Sequence, residues 1–163
     1  MAWKFDEILS RVEARLPKDA AGNFISGQEK SDVVHDLLAF LAEWMLEINK
    51  EKQQKIKGFL GWLEGYVGAK VEDLTPKTKI QSYYEHDYEG FLAVLRKNRK
   101  LLAIDPARWE PGEALRAENE GSVGKLRPLL DRIEKTDELI DDVVYRLYGL
   151  TDEEIRIVAG NAD

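Results

Sequence analysis

Apolar residues recur at three- and four-residue steps over most of the chain, which is the spacing of one face of an α-helix. The longest series runs from Ser31 to Val67, and an unbroken helix over that range would be about 55 Å long. The series lapses between Asn49 and Gly58, so the helix either breaks there or protrudes as one arm of an antiparallel pair, and the arm is favoured. Its apolar members are Val34, Leu37, Leu38, Leu41, Trp44, Met45, Ile48, Ile56, Phe59, Leu60, Leu63 and Val67.

Shorter series predict further helices on either side. One covers Trp3 to Leu16 and ends at Pro17. A short helix has Pro76 at its first position, and another is capped by Asp87. A longer helix covers Glu113 to Glu134, where Pro128 should bend it or mark a new first turn.

One irregular connection completes the pattern. The segment from Ile104 to Gly112, with two prolines around Trp109, is predicted to be irregular. Strand alternation never persists, although Ala69–Val71 and Leu101–Ile104 could pair briefly. The predicted fold is therefore all-α: a long central helix in an antiparallel, coiled-coil-like hairpin with short flanking helices. We expect one helical module over residues 1–163, with an arm at about 31–67 pairing with about 113–147.

The C-terminal stretch from Ile140 to Val158 has the most complete local signals. One helix carries an apolar stripe and should end at Gly149, which supplies a positive φ. Thr151 and Glu154 then have the spacing of a capping box, so a second helix should begin there. The sequence Y-x-L-Y-G-L-T-x-E-E-I-x-I-V within this stretch resembles the C-terminal end of type IIG restriction–modification enzymes, which are fused adenine-specific DNA methyltransferase–endonucleases. Lys30–Met45, Lys55–Glu64 and Arg132–Asp141 resemble the helical region behind the target-recognition part of those enzymes.

The resemblance implies a module that works beside catalytic domains. The methyltransferases of that family need a glycine-rich loop for S-adenosylmethionine and a D/N-P-P-Y/F motif for the flipped base, and Asp105-Pro106-Ala107-Arg108 shares only its first two residues with the latter. The strand context of a PD-(D/E)xK nuclease is missing as well. We therefore expect no catalytic residue, cofactor site or metal site in this chain.

Composition bounds the location and the partners. Of 163 residues, 44% are hydrophobic and 34% charged, which is typical of a folded protein, and no apolar run reaches the length of a membrane span. A signal peptide is not apparent and cysteine is absent, so we expect a cytoplasmic protein. The net charge of −7 excludes a surface that binds nucleic acid everywhere, while local basic patches remain compatible with it.

Two basic runs are candidates for phosphate contacts. The denser one places Arg96, Lys97, Arg99 and Lys100 within five residues near a predicted helix end, where the helix dipole also favours cations. The other, Lys50, Lys52, Lys55 and Lys57, has Glu47 and Glu51 at helical spacing and is better interpreted as a solvated helix face. The predicted DNA contacts are therefore weak, directed at phosphate and confined to the denser run.

Other chemistry-bearing residues favour structural roles. His35 and His86 each stand beside acids, yet their helical contexts argue against catalysis or metal binding. The aromatic residues have the spacing of core packing rather than of base stacking, and Glu118-Asn119-Glu120 and Asp141-Asp142 resemble solvated faces. The aromatic set is Trp44, Phe59, Trp62, Tyr66, Tyr83 and Tyr84.

Two functional hypotheses follow. The leading one is a non-catalytic helical module of a restriction–modification system, which braces the target-recognition part, assists DNA binding and has the methyltransferase and recognition domains as partners. The alternative is a helical protein–protein interaction module that acts through a coiled-coil arm, whose partner is another helical protein or a second copy of the chain. The sequence leaves open the oligomeric state and whether the chain is part of a larger enzyme.

Overall fold

The computed structural model describes residues 4–160, and within them the chain is all-α. Six α-helices are present in this range: α1 (Phe5–Glu13), α2 (Ser31–Val67), α3 (Lys77–Gln81), α4 (Tyr88–Lys97), α5 (Trp109–Leu147) and α6 (Asp152–Val158). Short 3₁₀ turns cover Val71–Asp73, Tyr83–Glu85 and Arg99–Leu101. The long helices α2 and α5 pack antiparallel, and the other helices flank them, as the sequence predicted.

The helix α2 is continuous across the polar stretch at residues 49–58, where the sequence left open whether it breaks. Its predicted apolar stripe lies inside the protein: the positions spaced by seven residues, Val34, Leu41 and Ile48, are all buried, and so are Phe59 and Leu63. The helix ends at Gly68, whose φ of +70° and N–H bond to Glu64 (3.0 Å) close the last turn. The protrusion of the α2–α5 pair as an arm stays a prediction.

Several predicted boundaries were wrong. The irregular connection ends before Trp109 rather than at Gly112. Pro111 falls in the first turn of α5, where backbone N–H groups have no partner within the helix, so a proline is tolerated there. A single helix, α5, covers both the helix predicted at Glu113–Glu134 and the one predicted to end at Gly149, and Pro128 lies inside it.

Smaller predictions also changed. Pro76 precedes α3 instead of opening it, and the Thr75–Pro76 peptide bond is cis. The brief strand pairing is replaced by a single hydrogen bond from Ala103 N–H to the Val67 carbonyl (2.8 Å), because Val71 is in a 3₁₀ turn. Trp3, predicted to begin the first helix, lies outside the described residues.

The chain divides into two compact units, each with its own apolar core. Among the described residues, the first contains 4–47 and 133–160; its core includes Val12, Val34 and Leu139. The second is Ile48–Arg132, and its buried residues include Phe59, Leu63, Tyr83, Phe91, Leu95 and Leu126. Among residues 4–160, no helix is both long enough and apolar enough to cross a membrane.

Candidate nucleic-acid interface

The dense basic run lies where α4 ends and a 3₁₀ turn begins, within the Ile48–Arg132 unit. The helix α4 starts at the predicted cap, where the Asp87 carboxylate accepts a hydrogen bond from Gly90 N–H (2.7 Å). One face of the helix is fixed in the core by Phe91, Val94 and Leu95. Three residues after Leu95 the chain leaves the helix, so the cations come at a point where the backbone turns.

Asn98, in the middle of the basic run, is the residue that holds this turn in place. It is 7% exposed, and its side chain pairs with both backbone groups of Thr75: Oδ1 accepts from Thr75 N–H (2.9 Å), and Nδ2 donates to the Thr75 carbonyl (2.8 Å). The same Nδ2 donates to the Val94 carbonyl (2.8 Å). The amide therefore ties the last turn of α4 to the loop before α3.

The four cations around Asn98 all lie on the surface. Arg99 forms an ion pair with Asp105 at 2.9 Å. Within residues 4–160, Arg96, Lys97 and Lys100 form no ion pair. The structure thus brings the predicted residues together as a patch in which three cations are available and one is already engaged.

The second basic run has the character of an ordinary helix surface. Lys55 is paired with Glu51 at 3.5 Å, one helical turn away. Lys52 and Lys55 are half-buried, while Lys50 and Lys57 are exposed. Each run therefore has one cation in an ion pair, and the two runs differ in their backbone: this one lies within the regular helix α2, whereas the other spans the turn held by Asn98.

Most aromatic side chains of the second unit belong to its core: Phe59, Tyr83 and Phe91 are buried in it, and Trp62, Tyr66 and Tyr84 pack against it. The centroid of the Phe59 ring lies 4.1 Å from that of Tyr83 and 5.8 Å from that of Phe91. Trp62 stacks on Tyr66 with 4.9 Å between ring centroids. Burial raises the pKa of Tyr83, while its hydrogen bond with Ser122 (2.5 Å) acts in the opposite direction. Core packing of these rings, preferred over base stacking from the sequence, is confirmed.

The histidines and acidic clusters need one correction. His35 is exposed, His86 is half-buried, and no group of three or more metal-ligating side chains occurs within the described range. Glu118 and Glu120 are solvated as expected, but Asn119 between them is 2% exposed, so the interpretation of this cluster as a wholly solvated face was wrong. The missed signal is its place four residues after the buried Leu115, on the inward stripe of α5.

The end of α5 has the predicted geometry. Gly149 has φ +71°, its N–H donates to the Arg146 carbonyl (3.0 Å), and Leu150 N–H donates to the Tyr145 carbonyl (3.0 Å). These two bonds define a Schellman motif. Lys18 Nζ also donates to the Gly149 carbonyl at 3.3 Å, which attaches the motif to the N-terminal loop of the same unit.

The capping box is present as well. Thr151 Oγ1 accepts from Glu154 N–H (3.3 Å), and Thr151 N–H donates to Glu154 Oε2 (2.8 Å). The hydrogen bond from the Thr151 backbone, helped by its hydroxyl, lowers the pKa of Glu154. The helix α6 that begins here buries none of its residues.

Comparison with known protein families places residues 31–144 in a family described as a domain of unknown function, DUF8810. The chain belongs to this family. The matched region contains α2 to α4 and nearly all of α5, and with them the basic run and Asn98. No curated protein and no solved structure matches the chain significantly.

Proposed function

We propose that the chain is a non-catalytic helical module of a DNA restriction–modification system, which braces the target-recognition part and contributes sequence-independent contacts to the DNA backbone. Its association with such a system rests on the resemblance of the C-terminal motif to type IIG enzymes. The contribution to DNA binding rests on the patch around Asn98. That patch is the observation that carries the proposal.

The patch is preorganised to bind an anion. Asn98 is buried and fixed by three hydrogen bonds, so the backbone that bears the neighbouring cations is held in one conformation. Arg96, Lys97 and Lys100 lie outside on that backbone, and no carboxylate of the described residues neutralises them. Fixed cations at a surface turn suit phosphate, which is recognised without base contacts.

The predicted affinity is low. Three available cations neutralise few phosphates and so release few counterions from the DNA, and the chain has a net charge of −7. We expect a dissociation constant on the order of 10⁻⁴ M or weaker at physiological salt, with no preference for sequence. A module that binds this weakly is suited to support a recognition domain and not to select a site by itself.

A salt titration of duplex binding tests the proposal. Removing three phosphate contacts should flatten the slope of log K against log salt by roughly 2.7, at about 0.9 for each contact, and equally for unrelated duplexes. The variant carries alanine at Arg96, Lys97, Arg99 and Lys100. The control removes the same charge from the other basic run, with alanine at Lys50, Lys52, Lys55 and Lys57, and should keep most of the slope.

Equal slopes for the wild type and the first variant would mean that the basic run makes no phosphate contacts and is only a solvated helix end. Equal losses in both variants would mean that overall charge, and not the patch, drives binding. The purified chain should also neither methylate nor cut DNA with S-adenosylmethionine and Mg²⁺ present. Turnover that a point substitution in this chain abolishes would refute the non-catalytic assignment.

A second candidate is an interaction module, as the exposed apolar residues favour. Leu46 on α2 is 71% exposed, and Ile157 and Val158 on α6 are 62% and 61% exposed. Sedimentation velocity separates the two candidates: a brace without its partner is expected to be monomeric over a wide concentration range. Association that Leu46→Glu abolishes would instead support a homodimer through α2.

A further inference from the structure

A cavity of about 360 Å³ lies between the start of α4 and one face of α5, in the Ile48–Arg132 unit. His86, Asp87 and Tyr88 line it on one side, and Asn119, Gly124 and Arg127 on the other. None of these residues belongs to the basic run. Its volume is within the range of sites for small molecules.

Asn119 is the least expected residue in this wall. It is 2% exposed, and its Nδ2 is buried without a hydrogen-bond partner among the described residues. Buried amide groups are nearly always paired, because water that hydrated them in the unfolded chain has been lost. An unpaired amide in a cavity wall indicates that its partner comes from outside the chain.

Two further donors of the cavity are unpaired in the same way as the Asn119 amide. Neither the Arg127 guanidinium nor the His86 imidazole has a side-chain partner within residues 4–160. The two carboxylates at the cavity are occupied: Asp87 accepts from Gly90 N–H at 2.7 Å, and Glu120 is paired with Arg116 at 3.5 Å. The unpaired polar groups of the cavity are therefore mainly hydrogen-bond donors, which need acceptors from a ligand.

We propose that this cavity binds a small ligand through one oxyanionic group, a carboxylate or a phosphate. Arg127 presents a planar donor pair to two of the oxygens, and the Asn119 amide and the His86 imidazole donate to the rest. Asp87 and Glu120 repel a second anionic group, so the site selects ligands with a single one and disfavours a DNA strand.

Gly124 allows a sharp test because it leaves the cavity open. A Cβ placed there would meet no atom within 4 Å, and the same holds for Gly121, which is in the same helix but not in the cavity wall. Gly124→Leu and Gly121→Leu therefore change helix propensity equally, and only Gly124→Leu fills the cavity. Arg127→Gln removes the charge at the site without adding volume.

The experiment is an NMR titration of the ¹⁵N-labelled chain with inorganic phosphate or with acetate, at ionic strength held constant with sodium chloride. The readout is the side-chain amide signal of Asn119, assigned by its absence in Asn119→Leu. We expect saturation by at least one probe with a dissociation constant on the order of 1 mM. The two arms distinguish a phosphate ligand from a carboxylate ligand.

Gly121→Leu should bind as the wild type does, whereas Gly124→Leu and Arg127→Gln should lose about tenfold or more in affinity. The proposal is overturned if neither probe saturates the Asn119 signal, or if sodium chloride alone produces the same shift. Unchanged binding by a folded Gly124→Leu would also overturn it, since the ligand would then lie elsewhere. These outcomes are independent of the basic run, so failure here leaves the DNA proposal standing.

Discussion

The three side-chain hydrogen bonds of Asn98 to Thr75 and Val94, together called the Asn98 clamp, hold the turn that carries the basic patch and can be removed by one substitution. Asn98→Ala removes the three side-chain hydrogen bonds to Thr75 and Val94 and leaves the cations themselves unchanged. The Thr75 N–H and carbonyl then lose their partner on α4. The variant therefore separates the effect of geometry from that of charge.

The magnitude follows from the bonds lost. A typical intramolecular hydrogen bond contributes about 0.5–1.5 kcal/mol net, and a buried group left unpaired costs about 1–3 kcal/mol. Because solvent reaches the edge of this site and part of the loss is recovered by hydration, we expect the Ile48–Arg132 unit to be destabilised by about 2–4 kcal/mol. Asn98→Asp should lose at least as much, since it replaces the donor with an oxygen facing two carbonyls.

Native-state hydrogen exchange measures this change locally, which suits a chain of two units that need not unfold together. The Thr75 amide should exchange far faster in Asn98→Ala, and urea denaturation should give the lower stability of the unit. Asn23→Ala is the matched control. It removes an exposed amide from a loop and should change stability by less than about 0.5 kcal/mol.

A loss below about 0.5 kcal/mol in Asn98→Ala, with unchanged exchange at Thr75, would refute the clamp. DNA binding provides a second criterion. The salt slope of Asn98→Ala should remain close to that of the wild type because the charges are retained, while its affinity should fall because the cations are no longer held in place. Unaltered affinity in a variant with a demonstrably broken clamp would contradict the argument from preorganisation.

The remaining predictions concern stability. Leu63→Ala should cost about 2–5 kcal/mol in urea denaturation because the side chain is fully buried, whereas Leu46→Ala, on the same helix but exposed, should cost less than about 0.5 kcal/mol; equal losses would mean that the stripe was misassigned. Hydrogen bonds from Thr151 lower the pKa of Glu154, so their contribution to α6 is complete above the ordinary carboxyl pKa and is lost as the pH falls through the lowered value. Protection of the α6 amides from exchange should follow this pH dependence, and Glu154→Gln, which cannot ionise, should abolish it; a variant with the same dependence would exclude the Glu154 carboxylate as its cause. Burial raises the pKa of Tyr83, so its stabilising contribution is present below the ordinary tyrosine pKa and is lost as the pH rises through the raised value. Tyr83→Phe should shift alkaline unfolding, followed by circular dichroism, to higher pH, and an unchanged midpoint would show that this ionisation does not drive the transition.

The sequence was sufficient where a structural element depends on its own residues. The Schellman turn at Gly149 and the capping box of Thr151 and Glu154 need only local residue types, and both are present. The inward stripe of α2 was also predictable, because periodic apolar positions must face a core. The start of α5 was missed because Pro111 signals a break in general, yet is tolerated in a first turn.

The buried polar residues were harder to predict, since their immediate neighbours are charged. Asn98 stands within R-K-N-R-K and Asn119 within E-N-E, so local composition indicated solvent. Their helical phase indicated the opposite: Asn98 follows the buried Val94 and Leu95 by one turn, and Asn119 follows Leu115. The partner of such an amide lies far away in sequence, as Thr75 does for Asn98, and no local pattern identifies it.

Mapping where DNA binds on this chain is the decisive measurement for the Asn98 patch. With backbone and side-chain amides assigned, a short duplex is titrated into the ¹⁵N-labelled chain at low salt and then displaced by raising the salt. We predict that shifts concentrate on residues 96–101 and on the side-chain amide of Asn98, are the same for unrelated duplex sequences, and disappear at high salt. Shifts centred on Lys50 to Lys57 or on α6, or no shifts at millimolar duplex, would contradict the proposal that the Asn98 patch contacts phosphate.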